Sequence, residues 1–235
     1  MLQKILAWCV HCYTALGLAI AALSTTLIVI GGEENLRNSL MLLFIAMAID
    51  ASDGYFARLA RVKEVVPTID GRRLDDIIDF HTYTSIPLLF IWRSDLFPGD
   101  IAWILILPLM ASAYGFSQTN AKTEDGCFLG FPSYWNVIAF YLFFLKPEVW
   151  FSFVIIVVFS VLTFIPVKYL YPSMPGPLSK LSVLIGVIWS LIVLSIIVGI
   201  VDEFFWTMIT LAFPVYYMVA SWVIALKDYS SYSGK

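Results

Sequence analysis

An all-α, polytopic membrane fold is predicted by the chain's composition, by the recurrence of its apolar runs and by the scarcity of charge between them. Of 235 residues, 60% are hydrophobic and 13% are charged. Three cysteines, Cys9, Cys12 and Cys127, are too few for a disulfide framework. Cys9-x-x-Cys12 lies in an apolar helix with no second pair, which favours a structural role over a redox or metal one. A net charge of −3 offers nothing to nucleic acid.

Eight spans follow in order, each near the roughly 20 residues that cross hydrocarbon as a helix. The first, residues 7–30, has only Lys4 before a long apolar core and so reads as a retained anchor rather than a cleaved leader. The second covers 39–59, the third 75–92 and the fourth 101–118. The fifth, 133–145, is short and is closed by a tight turn at Lys146-Pro147-Glu148. The sixth covers 150–167. Pro172, Pro175 and Pro177 predict an extended interfacial connection before the seventh, 178–200, and the eighth is 204–226. The whole chain, 1–235, reads as one membrane domain.

Cytoplasmic segments carry an excess of Lys and Arg. With the N-terminus inside, eleven such residues fall inside, against Arg37, Arg93 and Lys146 outside. Both termini are therefore expected in the cytoplasm, together with the basic connection between the second and third spans.

At that end stand four carboxylates, Asp50, Asp53, Asp75 and Asp79. A carboxylate within a bilayer costs about 2.5–3.5 kcal/mol even on the mildest scale, so these must be compensated by cations or chemistry. Asp50 and Asp53 are three apart and Asp75 and Asp79 four apart, so each pair shares a helix face. A short basic connection makes the two helices antiparallel neighbours whose pairs can face each other. Asp76 points about 100° away from Asp75, and Asp70 belongs to the connection; neither joins the group. Four converging carboxylates repel, and all-oxygen ligation suits Mg²⁺ or Mn²⁺; two ions would balance the charge.

Gly54, Ala57 and Gly71 leave room beside the carboxylates. Arg58, one turn beyond Gly54, is placed to hold a diphosphate, whereas Lys63, Arg72 and Arg73 fit equally a contact with anionic lipid. His11 and His81 lack metal-ligand spacing and read as packed or hydrogen-bonded side chains.

The order D-x2-D-G-x2-A-R, spacer, G-x3-D-x3-D is filled here by Asp50, Asp53, Gly54, Ala57, Arg58, Gly71, Asp75 and Asp79. It resembles the signature of the CDP-alcohol phosphotransferase family. The spacer from Leu59 to Asp70, twelve residues, is longer than in most members. That length, the run Phe131-Pro132-Ser133-Tyr134-Trp135-Asn136, the stretch Val167–Pro172 and the eight-span layout resemble the bacterial branch that makes phosphatidylcholine. The resemblance implies a bacterial inner-membrane enzyme transferring a phosphatidyl group from CDP-diacylglycerol to choline with release of CMP, its active site facing the cytoplasm. It implies that Asp50, Asp53 and Asp75 ligate Mn²⁺ or Mg²⁺ and that Asp79 is shared between ligation and proton removal. It also implies that Gly54, Ala57 and Gly71 accommodate the nucleotide, that the acyl chains stay among membrane lipid, and that the protein forms a homodimer.

A quaternary ammonium is held by aromatic faces and a nearby acid. Tyr134 and Trp135 at the start of the fifth span, Glu124 and Asp125 just before them, and Tyr83 one turn after Asp79 are the candidates for choline. Aromatic residues also collect at membrane interfaces for other reasons.

Other readings stay open. A transporter or channel would place carboxylates at a cytoplasmic vestibule without needing this motif order. A purely structural protein would pair them with intramembrane Lys or Arg, which the fourth to eighth spans almost lack. A sibling enzyme would accept serine, inositol or glycerol phosphate, and a phosphorylated acceptor would call for more cations beside the metals. The surplus here is aromatic.

Overall fold

In a computed structural model, residues 1–123, 125–172 and 178–233 are described, with side chains through residue 227. Glu124, Pro175, Pro177 and Lys235 lie outside the described residues. Two units emerge, Met1–Asp95 and Leu96–Lys235.

In the first unit, α1 (Leu2–Ile30) and α2 (Glu33–Leu59) are both long and apolar enough to cross a membrane. α1 buries Ala7, His11, Thr14, Gly17, Ala21, Ser24 and Ile28, recurring every three or four residues along one face. Its exposed positions include Leu16, Leu18, Leu23 and Val29. Small and hydroxyl-bearing residues inside, large aliphatic ones outside, is what a helix surrounded by lipid requires, because packing rather than water drives association there. Ser24 Oγ donates to Ser39 O of α2 at 3.3 Å, and Tyr13 and Ser52 share a hydroxyl bond of 2.9 Å.

The basic connection contains a single-turn helix, α3 (Val62–Val65). Val62 and Val66 form a small core with Ala7, against which Val10, Ala57 and Ile69 pack. Asp70 then caps α4 (Gly71–Asp79), its Oδ1 accepting from the Arg72 and Arg73 amides at 3.1 and 3.2 Å. The third helical run thus begins four residues before the expected Asp75, because Asp70 supplies an N-cap within the basic stretch.

A π-helical segment, Phe80–Ser85, joins α4 to α5 (Ile86–Arg93). The Ile86 amide bonds His81 O, five residues back. Pro87 accounts for the wide turn: in an α-helix its ring would collide with the carbonyl of Tyr83, and it has no N–H to offer it.

In the second unit, a 3₁₀ turn (Ala102–Leu105) leads into α6 (Ile106–Ser117), followed by α7 (Trp135–Leu145), α8 (Val149–Phe164), α9 (Ser179–Val198), α10 (Glu203–Thr210) and α11 (Ala212–Ser233). Lys146, in the left-handed region at φ 43°, makes the expected turn between α7 and α8. α9 and the run Glu203–Lys227 are again long and apolar enough to span. Among the described residues one pair of short strands interrupts the helical pattern, β1 (Cys127–Leu129) antiparallel to β2 (Lys168–Leu170), with Phe128 opposite Tyr169. It was not expected, since both strands fall in segments read as connections. Tyr217 Oη donates to Leu170 O at 2.9 Å, fixing β2 to α11.

A candidate carboxylate metal site in the first unit

α2 and α4 present their acidic faces to each other. One carboxylate oxygen from each of Asp50, Asp75 and Asp79 lies within 4.8 Å of the others, and all three side chains are half-buried. Around an ion with oxygens at about 2.1 Å, ligand oxygens stand roughly 3 Å apart when adjacent and about 4.2 Å when opposite. A group whose oxygens all lie within 4.8 Å of one another can therefore close on a hard divalent cation.

Asp53 stands outside that triad. It is 7% exposed, and its Oδ2 accepts a bond of 2.8 Å from Thr14 Oγ1 of α1. Even so, all four aspartates line one small cleft, together with Thr14, Gly17, Ala46, Ile49, Ile78 and Thr82. The expected convergence of four carboxylates is realised as three together and one braced on the same wall.

α1, read from the sequence as an anchor, forms the back of this site. A Cβ on Gly17 would meet Ile78 Cγ2 at 2.8 Å, so α1 and α4 touch where only glycine permits it. At Gly71, a Cβ would come within 3.2 Å of His11 Cε1, so the space over this glycine is occupied by an imidazole. His11 is 6% exposed, and its Nε2 finds no hydrogen-bond partner among the described residues. His11 is packed, as expected, whereas Thr14 and Gly17 were missed as residues of the cleft. Their signal was the regular recurrence of small and polar types along one face of an apolar helix.

The remaining candidates fall as follows. Gly54 would carry a Cβ 3.6 Å from Arg58 Nη1, so the Arg58 guanidinium folds back over it, and Arg58 is exposed. Ala57 is half-buried against the Ala7, Val62 and Val66 core. Tyr83, in the π-helical segment, donates its hydroxyl to Asp50 Oδ2 at 2.6 Å. Trp135 belongs to the second unit and is fully enclosed, its indole N–H donating to Ser112 Oγ at 2.9 Å. No ring face of Trp135 is open to a soluble cation in this conformation. Tyr134, half-buried in the same unit, packs edge-on to Phe128, Phe131 and Tyr217. Asp125 bonds Lys168 Nζ and Thr123 Oγ1, each at 2.5 Å, and the Lys168 bond, followed by that of Thr123, holds its carboxyl below the usual range. Cys9 and Cys12 are free and exposed on α1, and Cys127 is free and buried.

No family model matches the chain. It is 36% identical over 232 residues to the phosphatidylcholine synthase of Borreliella burgdorferi, covering 98% of this chain and 97% of that protein. It is 40% identical over 176 residues to that of Legionella pneumophila, covering 73% and 67% respectively. Against the phosphatidylcholine synthase of Pseudomonas aeruginosa it is 33% identical over 189 residues, covering 80% and 78%.

Proposed function

The chain belongs to the phosphatidylcholine synthase family, and from that membership we propose that it transfers the phosphatidyl group of CDP-diacylglycerol to choline at the carboxylate cleft of its first unit. The observation that carries the site assignment is the approach of Asp50, Asp75 and Asp79 from two helices to within 4.8 Å. Asp50, Asp75 and Asp79, with Asp53 beside them, would hold Mg²⁺ or Mn²⁺. When bound, such ions neutralise the diphosphate and the charge that builds on the departing CMP.

The choline hydroxyl oxygen bonds to the phosphorus that carries diacylglycerol, and the bond from that phosphorus to the CMP oxygen breaks. Asp79 takes the hydroxyl proton, and CMP leaves with the bonding electron pair. Arg58, folded over Gly54 at the exposed end of α2, is placed to meet a phosphate oxygen. The nucleotide is placed beside Gly54, whose one near neighbour is the Arg58 guanidinium, and not over Gly71 or Ala57, where His11 and the Ala7, Val62 and Val66 core already pack. Among the aromatic candidates Tyr83 is supported best for choline, because its hydroxyl already ties it to the carboxylates. The basic connection between α2 and α4 supports a cytoplasmic opening at the inner membrane, by the excess of Lys and Arg it carries.

Membranes holding the protein, given CDP-diacylglycerol, Mn²⁺ and labelled choline, are expected to form labelled phosphatidylcholine and CMP. Incorporation of labelled serine in its place would transfer the assignment to a sibling acceptor. Asp53→Asn and Asp79→Asn are each expected to lower turnover by about 10²-fold or more. Near-normal turnover in both would refute the site.

A further inference from the structure

Asp53 and Asp50 each accept from a hydroxyl brought from a different helical segment. Thr14 Oγ1 of α1 donates to Asp53 Oδ2 at 2.8 Å, and Tyr83 Oη of the π-helical segment donates to Asp50 Oδ2 at 2.6 Å. Neither hydroxyl belongs to the eight-residue motif. Thr14 is buried and 39 residues from Asp53 in sequence; Tyr83 is 33 residues from Asp50. Such bonds hold a carboxylate at one rotation and bias it toward offering an ion its other oxygen.

We infer that Thr14 and Tyr83 are positioning residues that keep Asp53 and Asp50 monodentate and so make the site select Mg²⁺ or Mn²⁺ over Ca²⁺. The physical basis is the difference in coordination between these ions. Mg²⁺ takes six oxygens at about 2.1 Å in a strict octahedron, with carboxylates giving one oxygen each. Ca²⁺ takes six to eight at about 2.3–2.6 Å and commonly draws both oxygens from a carboxylate. A hydroxyl fixed on Oδ2 opposes that second contact twice over, once from α1 and once from the segment after α4. Groups that orient metal ligands typically change ion affinity by about 10- to 100-fold when removed. Pro87 contributes at one remove, since the wide turn it enforces carries Tyr83.

This rests on the metal reading proposed above. The test is Mn²⁺ binding by the purified full-length protein in detergent, read from the electron-spin-resonance signal of free Mn²⁺ and repeated with Ca²⁺ as competitor. Thr14→Val and Tyr83→Phe keep shape and remove only the hydroxyl. In each, the Ca²⁺ concentration that displaces half the bound Mn²⁺ is expected to fall about tenfold. Thr14→Ser, which restores a hydroxyl, is expected to behave as the unaltered protein, and this separates positioning from a packing effect of the threonine methyl. Unchanged competition in both Thr14→Val and Tyr83→Phe overturns the inference. Asp75→Asn tells the two levels apart: if it abolishes Mn²⁺ binding while the hydroxyl variants change nothing, the metal site stands and the bracing falls. If Asp75→Asn binds Mn²⁺ normally, the metal reading itself fails and takes the bracing with it.

Discussion

Asp125 shows how one residue's surroundings translate into a pH response. The bond from Lys168, and then that from Thr123, lowers its carboxyl below the ordinary range. A depressed folded-state pKa stabilises the fold above the unfolded value and loses that effect as pH falls through the folded one. Asp125→Asn is therefore expected to lower the thermal midpoint slightly at neutral pH, with the difference vanishing in acid; its half-exposed setting keeps the effect small. A constant offset from neutrality down to strong acid would remove the pair from the account. At this scale the acidic residues were legible because carboxylates in apolar helices stand out. Thr14 was not, since a threonine inside an apolar run is ordinary until its partner across 39 residues is known. The indole of Trp135 shows the converse, because a tryptophan at a span's edge reads as interfacial whether or not other side chains enclose it.

At the scale of elements, α1 and the π-helical segment are where local reading stopped short. The hydropathy of α1 announces a membrane helix, but only its buried face, from Ala7 to Ile28, shows that it backs the cleft. Gly17→Ala puts a methyl against Ile78 Cγ2 at 2.8 Å and is expected to destabilise the protein by about 1–3 kcal/mol. Adding Ile78→Ala removes that clash, so thermal unfolding should show the pair less damaged than the two single effects summed. Strict additivity would mean that the helices adjust elsewhere. Pro87→Ala supplies the missing amide and relieves the ring, letting the turn close to α-helical geometry and drawing Tyr83 from Asp50. Its expected result is weaker Mn²⁺ activation, with Tyr83→Phe adding nothing in the Pro87→Ala background. Independent, additive losses would show that the proline acts by another route. The sequence contained that proline in plain view, yet a proline near a helix start is more often a boundary than the cause of a widened turn within one run.

Across the described residues, each of the eight expected spans contains helical structure, and four runs, Leu2–Ile30, Glu33–Leu59, Ser179–Val198 and Glu203–Lys227, have the length and apolar composition that hydrocarbon thickness imposes on a crossing helix. The third and eighth spans are each served by consecutive helical pieces, Gly71–Asp79 with the segments after it and Glu203–Thr210 with Ala212–Ser233. The β1–β2 pair escaped notice since three-residue strands carry no periodicity to detect. All four aspartates, both hydroxyl donors and the glycine contacts of α1 fall within Met1–Asp95. The residues that would hold an ion are thus written into one uninterrupted stretch of the chain, so a single compact unit carries every side chain the cleft needs.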